Sequence, residues 1–215
     1  MVKVKICGIT NWTDARRAVE AGADFLGFNF YPKSSRYIAP AAARRIVKRL
    51  PDAVASVGVF VNEPEPEMLA IAQQVGLDYV QLHGDETAEV VSRMRRSFRV
   101  IKAIRVRNTF RVSQLANFKR ASSILLDGFD VHLRGGTGKT FNWKLAKSAA
   151  RKRQIFLAGG LTPENAAQAV SATRPFAIDV CSGVELRPGK KDAARMRALV
   201  AAVRPASSKR SRRRS

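Results

Sequence analysis

Histidine and cysteine are scarce in this 215-residue chain, two of each. Cys7 and Cys181 stand far apart, and neither His83 nor His132 has a partner at metal-ligand spacing, so no disulfide framework and no zinc-type centre is indicated. The two thiols are expected to be free. No GxGxxG follows a strand candidate, which leaves a dinucleotide site without its fingerprint. The Gly-rich run GGTGKT, Gly135 to Thr140, fails as a P-loop: that motif needs a glycine five residues before Gly138, and the position holds Leu133. It reads instead as a mobile loop over a site, and no cofactor or metal is expected. Apolar runs of membrane-spanning length are missing too, as is an apolar segment behind a basic start, so the expectation is a soluble cytoplasmic protein with no membrane partner.

Acidic residues are few, 17 against 39 Lys and Arg, giving a formal net charge of +22. Five of those charges lie in KRSRRR near the C-terminus, so the body of the chain is basic as well. This balance suits nucleic acid, an acidic surface or a small phosphorylated substrate. No zinc finger or RNP-type aromatic run supports nucleic acid. A phosphorylated small molecule is the preferred partner.

Hydrophobic residues make up 46% of the chain, enough for a core. Strand candidates begin at Val2, Asp24, Ala55, Asp78, Arg99, Ser123, Gln154 and Phe176, each followed by a helical pattern. Among these helices are Glu65 to Val75 closed by Gly76, one around Thr109 to Lys119, one from Pro163 to Ser171, and Asp192 to Val203. Eight βα units repeating at roughly 25 residues imply right-handed crossovers and a parallel sheet. They fit a single (β/α)8 TIM barrel over residues 1–204, with a doubly wound open sheet as the alternative. Residues 205–215 are like-charged and low in complexity, and are expected to be a disordered tail.

With the more apolar side of each strand turned toward the helices, Lys5, Cys7, Gln81, His83, Ser123, Asp127, Asp179 and Cys181 face the lumen. Polar groups there need partners. Lys5 and Asp179 belong to strands that a closed barrel makes neighbours, and are expected to pair. Cys7, His83 and Asp127 lie at C-terminal strand ends, where barrel enzymes keep their sites. A thiol facing a carboxyl suits either acid–base transfer or nucleophilic attack by Cys7. As a base Cys7 needs its pKa lowered from ~8.5 by basic neighbours. Cys181 reads as a small core residue, and His83 as a substrate contact or a structural one. Gly159, Gly160, Ser182 and Gly183 follow the last two strands, the usual phosphate position of this fold, although turn geometry alone also accounts for such glycines.

Taken in order over residues 3–203, KICGIT with Cys7, GFNFYPKSSRYI with Arg36, VGVFVNE, VQLHGDE, LLDG with Asp127, GGTGKTFNW, GGLTPENA, RPFAIDVCSGVE and PGKKD resemble the phosphoribosylanthranilate isomerase family of tryptophan biosynthesis. The resemblance implies an Amadori rearrangement of N-(5-phosphoribosyl)anthranilate on a (β/α)8 barrel, without cofactor. It implies that Asp127 is the general acid opening the furanose ring and Cys7 the general base taking the C2′ proton. Arg36 matches the residue holding the anthranilate carboxylate, and Gly159, Gly160, Ser182 and Gly183 the phosphate cradle. His83 and Asp179 complete the expected substrate-binding set. Asp127 is then expected to have a raised pKa. Asn142 and Ala158 depart from the family pattern, where Asp and Ser are usual. The related isomerisation of histidine biosynthesis works with two Asp residues, and Cys7 argues against it. Monomer and homodimer both remain open.

Overall fold

The computed structural model describes residues 1–106, 110–128 and 143–204. The GGTGKT run, Asn142 and His132 lie outside the described residues, as does the tail. Eight parallel strands close on themselves in chain order: β1 Lys3–Ile6, β2 Phe25–Asn29, β3 Ala55–Phe60, β4 Tyr79–Leu82, β5 Arg99–Arg105, β6 Ser123–Asp127, β7 Ile155–Ala158 and β8 Ala177–Val180. Pairing of β1 with β8 excludes the open sheet, and its register sets Lys5 opposite Asp179.

The helices start and stop where local chemistry dictates. Helix α1 (Trp12–Glu20) begins at Asn11, whose side chain accepts from the Asp14 amide at 2.9 Å. Helix α2 (Pro40–Val47) has proline in its first turn, and α3 (Glu65–Val75) ends on Gly76 in the left-handed region at φ 78°. Helices α4 (Ala88–Met94), α5 (Trp143–Lys152), α6 (Ala166–Thr173) and α7 (Ala193–Val203) complete the outer ring. Asp192 caps α7 by accepting from the amides of Ala194 and Arg195.

Three local expectations are corrected. The crossover after β5 is a 3₁₀ helix, Val112–Phe118, not an α-helix. Its apolar residues Val112, Leu115 and Phe118 recur every third position, the period of three residues per turn. Helix α6 starts at Ala166 and not at Pro163, because Asn165 accepts from the Thr162 amide and donates to the Gly160 carbonyl, which holds residues 160–165 as a turn. Beyond β8, a 3₁₀ turn (Ser182–Val184) leads into a small antiparallel hairpin, β9 (Glu185–Arg187) and β10 (Lys190–Lys191), where only a loop was foreseen.

Two apolar layers result from the alternation of each strand. Val4, Ile6, Leu26, Phe28, Val80, Leu82, Ile124, Leu126, Ile178 and Val180 pack outward against the helices. Phe25, Val57, Ile101, Ala103, Leu125, Phe156, Ala158 and Ala177 pack within the lumen. At its N-terminal end Phe25 meets Phe156 and Tyr79 edge-on at 5.2 and 5.6 Å, and Phe156 meets Phe176 at 5.6 Å. This aromatic floor closes one end of the barrel. Apart from Ser123, which donates to Gln154 at the floor, the polar lumen residues lie toward the other end.

Candidate active site

A cavity of about 270 Å³ opens at the C-terminal ends of the strands, lined by Cys7, Arg36, His83, Asp127, Gly159, Gly160, Asp179 and Ser182. Eight of the nine expected site residues thus meet in one place. Gly183 is not on the lining. Its Cβ would stand 1.9 Å from the Leu161 carbonyl oxygen, so glycine there lets the loops after β7 and β8 touch backbone to backbone. Gly183 therefore serves the close approach of these two loops.

Cys7 follows β1, and its amide donates to the Val180 carbonyl at 2.9 Å. Room for its thiol comes from Gly27 on β2, where a Cβ would lie 2.7 Å from Cys7 Sγ. Below it Lys5 is fully buried and donates to Asp179 Oδ1 at 2.9 Å, the expected pair. A hydrogen bond from the Cys181 thiol, followed by the charges of Lys5 and Lys191, holds Cys7 well below the usual thiol range against the opposing effect of burial. Bonding to Cys7 and burial push Cys181 up in turn, so the pair shares one ionisation, on Cys7. The core role foreseen for Cys181 is thereby corrected: it lines the cavity, and Lys191 Nζ lies 3.7 Å from its sulfur. Burial pushes Asp179 up to about 6, with Cys7 acting in the same sense and Lys5 against it.

Across the lumen Asp127 ends β6. Its Oδ2 lies 3.1 Å from His83 Nε2, and His83 Nδ1 lies 2.8 Å from Gln81 Nε2. His83 thus touches the carboxyl directly. The hydrogen bond from His83 holds Asp127 below the ordinary carboxylate range, and the charge of Arg105 and the Gly128 amide act in the same sense against burial. The expected rise is therefore reversed in this arrangement. With Nδ1 accepting from Gln81, Nε2 carries the proton, and a donor on that side favours an ionised Asp127.

Arg36 sits on the loop after β2, where Ser34 Oγ accepts from its amide and from Asn29 Nδ2, both at 3.1 Å. Its guanidinium grips Glu185: Nε lies 3.0 Å from Oε1 and Nη2 2.7 Å from Oε2. Glu185 also receives Lys191 Nζ at 2.8 Å, so two cations share one buried carboxylate and the trio keeps a net positive charge. Sequence reasoning missed Glu185 and Lys191, because the hairpin that delivers them is too short to carry an alternating pattern. Asp14 of α1 fixes that hairpin, accepting from Lys190 Nζ and the Lys191 amide at 2.9 and 3.0 Å.

On the remaining side, Gly159 and Gly160 have φ values of 96° and 63°. The turn itself demands glycine twice, which accounts for both without a ligand. Among the described residues, neither amide donates a hydrogen bond. Thiol, carboxyl, guanidinium and bare amides face one volume, which suits a ligand with anionic ends and a centre that exchanges protons.

A family model described as N-(5'phosphoribosyl)anthranilate (PRA) isomerase matches residues 4–202. The N-(5'-phosphoribosyl)anthranilate isomerase of Citrifermentans bemidjiense is 51% identical over 201 residues, 94% of this chain and 96% of its own. A crystal structure of phosphoribosyl anthranilate isomerase with reduced 1-(o-carboxyphenylamino)-1-deoxyribulose 5-phosphate is similar with a TM-score of 0.85 and 45% identity, over 94% of this chain and 98% of that one. A structure of monomers generated from the dimeric enzyme of Thermotoga maritima gives 0.84 at 45% identity, with the same coverage.

Proposed function

The chain belongs to the N-(5'-phosphoribosyl)anthranilate isomerase family, and from that premise we propose how its cavity performs the rearrangement. The substrate is N-(5-phosphoribosyl)anthranilate, the product the corresponding 1-deoxyribulose phosphate, and the step belongs to tryptophan biosynthesis. Asp127, once protonated, gives its proton to the furanose ring oxygen, and the ring opens to a Schiff base at C1′. Cys7, as thiolate, removes the C2′ proton. The resulting enolamine becomes the ketone. One proton is given and one is taken, so an acid and a base on opposite sides of the lumen suffice.

The observation that carries this reading is the placement of the Cys7 thiol above the buried Lys5–Asp179 pair, facing Asp127 across one cavity. A thiol held as thiolate is suited to a base, and proton transfer agrees with the family's chemistry better than nucleophilic attack. The net positive trio of Arg36, Glu185 and Lys191 supports an anthranilate carboxylate at one end. The bare Gly159 and Gly160 amides, with Ser182 beside them, support the phosphate at the other. His83 acts through Asp127, and Asp179 by keeping Lys5 charged beneath the thiol. The protein works as a monomer or as a homodimer like the Thermotoga enzyme, which sedimentation distinguishes.

Freshly prepared phosphoribosylanthranilate, followed by its fluorescence, tests the roles. Cys7→Ser and Asp127→Val should each remain folded and lose at least about 10²-fold in kcat, the usual share of a general base or acid. Activity surviving in either variant removes that residue from its role.

A further inference from the structure

Among the described residues one buried side-chain polar atom lacks a hydrogen-bond partner, Gln81 Oε1. Gln81 is completely buried in β4, and its other amide atom, Nε2, lies 2.8 Å from His83 Nδ1. With Nε2 donating there, His83 carries its proton on Nε2, 3.1 Å from Asp127 Oδ2. That arrangement fits an ionised Asp127. It does not fit a protonated one, whose O–H would meet an N–H.

Rotating the amide by half a turn exchanges oxygen and nitrogen of nearly equal shape and leaves the packing as it is. Oε1 then accepts from Nδ1–H, and His83 Nε2 becomes an acceptor for an Asp127 O–H. The oxygen gains a partner and Nε2 takes over the unpartnered position, so each orientation makes one amide hydrogen bond, to His83 Nδ1. Building on the acid role given above to Asp127, we propose that Gln81 is a positioning residue whose two amide orientations pair each tautomer of neutral His83 with one protonation state of Asp127. The acid arrangement holds two protons, on Asp127 Oδ2 and His83 Nδ1; the ionised arrangement holds one, on Nε2. Passing from the first to the second moves a proton across the Oδ2 to Nε2 hydrogen bond and releases the other from Nδ1 to solvent. One proton is lost in all, and the imidazole is neutral in both end states. Gln81 thereby lets the same histidine support both states of the acid.

Arg105 on β5 acts on Asp127, and Asp179 on β8 is coupled to His83 and in turn to Lys5 and Cys7 on the β1 side. They are present in every variant used below, so differences report on Gln81.

The test is a pH titration of the full chain labelled with ¹⁵N in its histidine rings, of which there are two. His83 should move from the Nε2–H to the Nδ1–H pattern as Asp127 takes up its proton. In Gln81→Met, a substitution of similar length, this exchange should disappear. The falling limb of kcat/KM should shift to lower pH by about one unit, because the acid form then leaves a buried N–H unpaired, and kcat should drop about tenfold. A single tautomer throughout, a direct passage to doubly protonated imidazole, or Gln81→Met with wild-type tautomers and pH profile would each overturn the proposal. If the variant does not fold, the wild-type titration decides. The exchange is read without substrate, so a wild-type chain that shows it but turns nothing over refutes the role of Asp127 and leaves the amide coupling standing.

Discussion

The thiol at the end of β1 owes its ionisation to what surrounds it, and the largest single influence is the neighbouring Cys181. As a base Cys7 works only as thiolate, so activity rises with pH through its pKa. Removing the donor in Cys181→Ala raises that pKa, and the rising limb of kcat/KM should move to higher pH. Rates should fall most on the acid side and recover on the alkaline side, with the same displacement in the pH dependence of Cys7 alkylation. Coincident limbs in parent and variant would show that Cys181 does not act on Cys7. Cys7 and Asp127 were legible in the sequence because strand parity and position mark them without any knowledge of neighbours. Cys181 was not, since a lone thiol in an apolar strand looks like packing. The missing datum was register: Lys5 stands opposite Asp179, and two residues further along each strand the same face carries Cys7 and Cys181.

The β9–β10 hairpin is built from strands of only three and two residues, and it sets how Arg36 is presented. Glu185, at its start, takes two hydrogen-bonding atoms of the guanidinium and the Lys191 ammonium. Neutralising it in Glu185→Gln loosens a bidentate pair and leaves two cations beside each other. The expected result is a KM increase of about tenfold, equivalent to ~1.4 kcal/mol, with a smaller change in kcat. A loss confined to kcat would place Glu185 with the proton transfers instead. Elements of this size escape sequence reading because two- and three-residue strands have no measurable period. Other elements were read more closely: α3 and β6 occupy the expected spans and β1 through β8 all form, although α6 begins three residues later than expected. The 3₁₀ crossover was legible in kind only, since Val112, Leu115 and Phe118 satisfy a period of three as well as part of a helical one.

Closure of the whole barrel depends on its seam, where the last unit returns to the first. Arg204, just past α7, donates to the Val2 and Gly22 carbonyls and to Asp24, which also holds the Lys3 ammonium and the Val4 amide. Burial opposes the Asp24 charge, but Lys3, the Val4 amide and Arg204 outweigh it and lower its pKa. The folded pKa thus lies below the unfolded value near ~3.9, so this contribution is present in full above that pH and fades as pH falls through the folded pKa. Asp24→Asn should destabilise the protein by about 2 kcal/mol at neutral pH and by progressively less in acid, as read by urea unfolding across pH. An equal loss at all pH values would assign the effect to packing.

The same seam separates the order of the units along the chain from their order around the site. Val2 O and Arg204 Nε are 3.0 Å apart, so a short connection could join the two ends of the ring and a cut could be made at another surface loop. All eight strand pairings would survive such a circular permutation. What the cavity requires is the cyclic sequence of its eight neighbours, with no privileged first member.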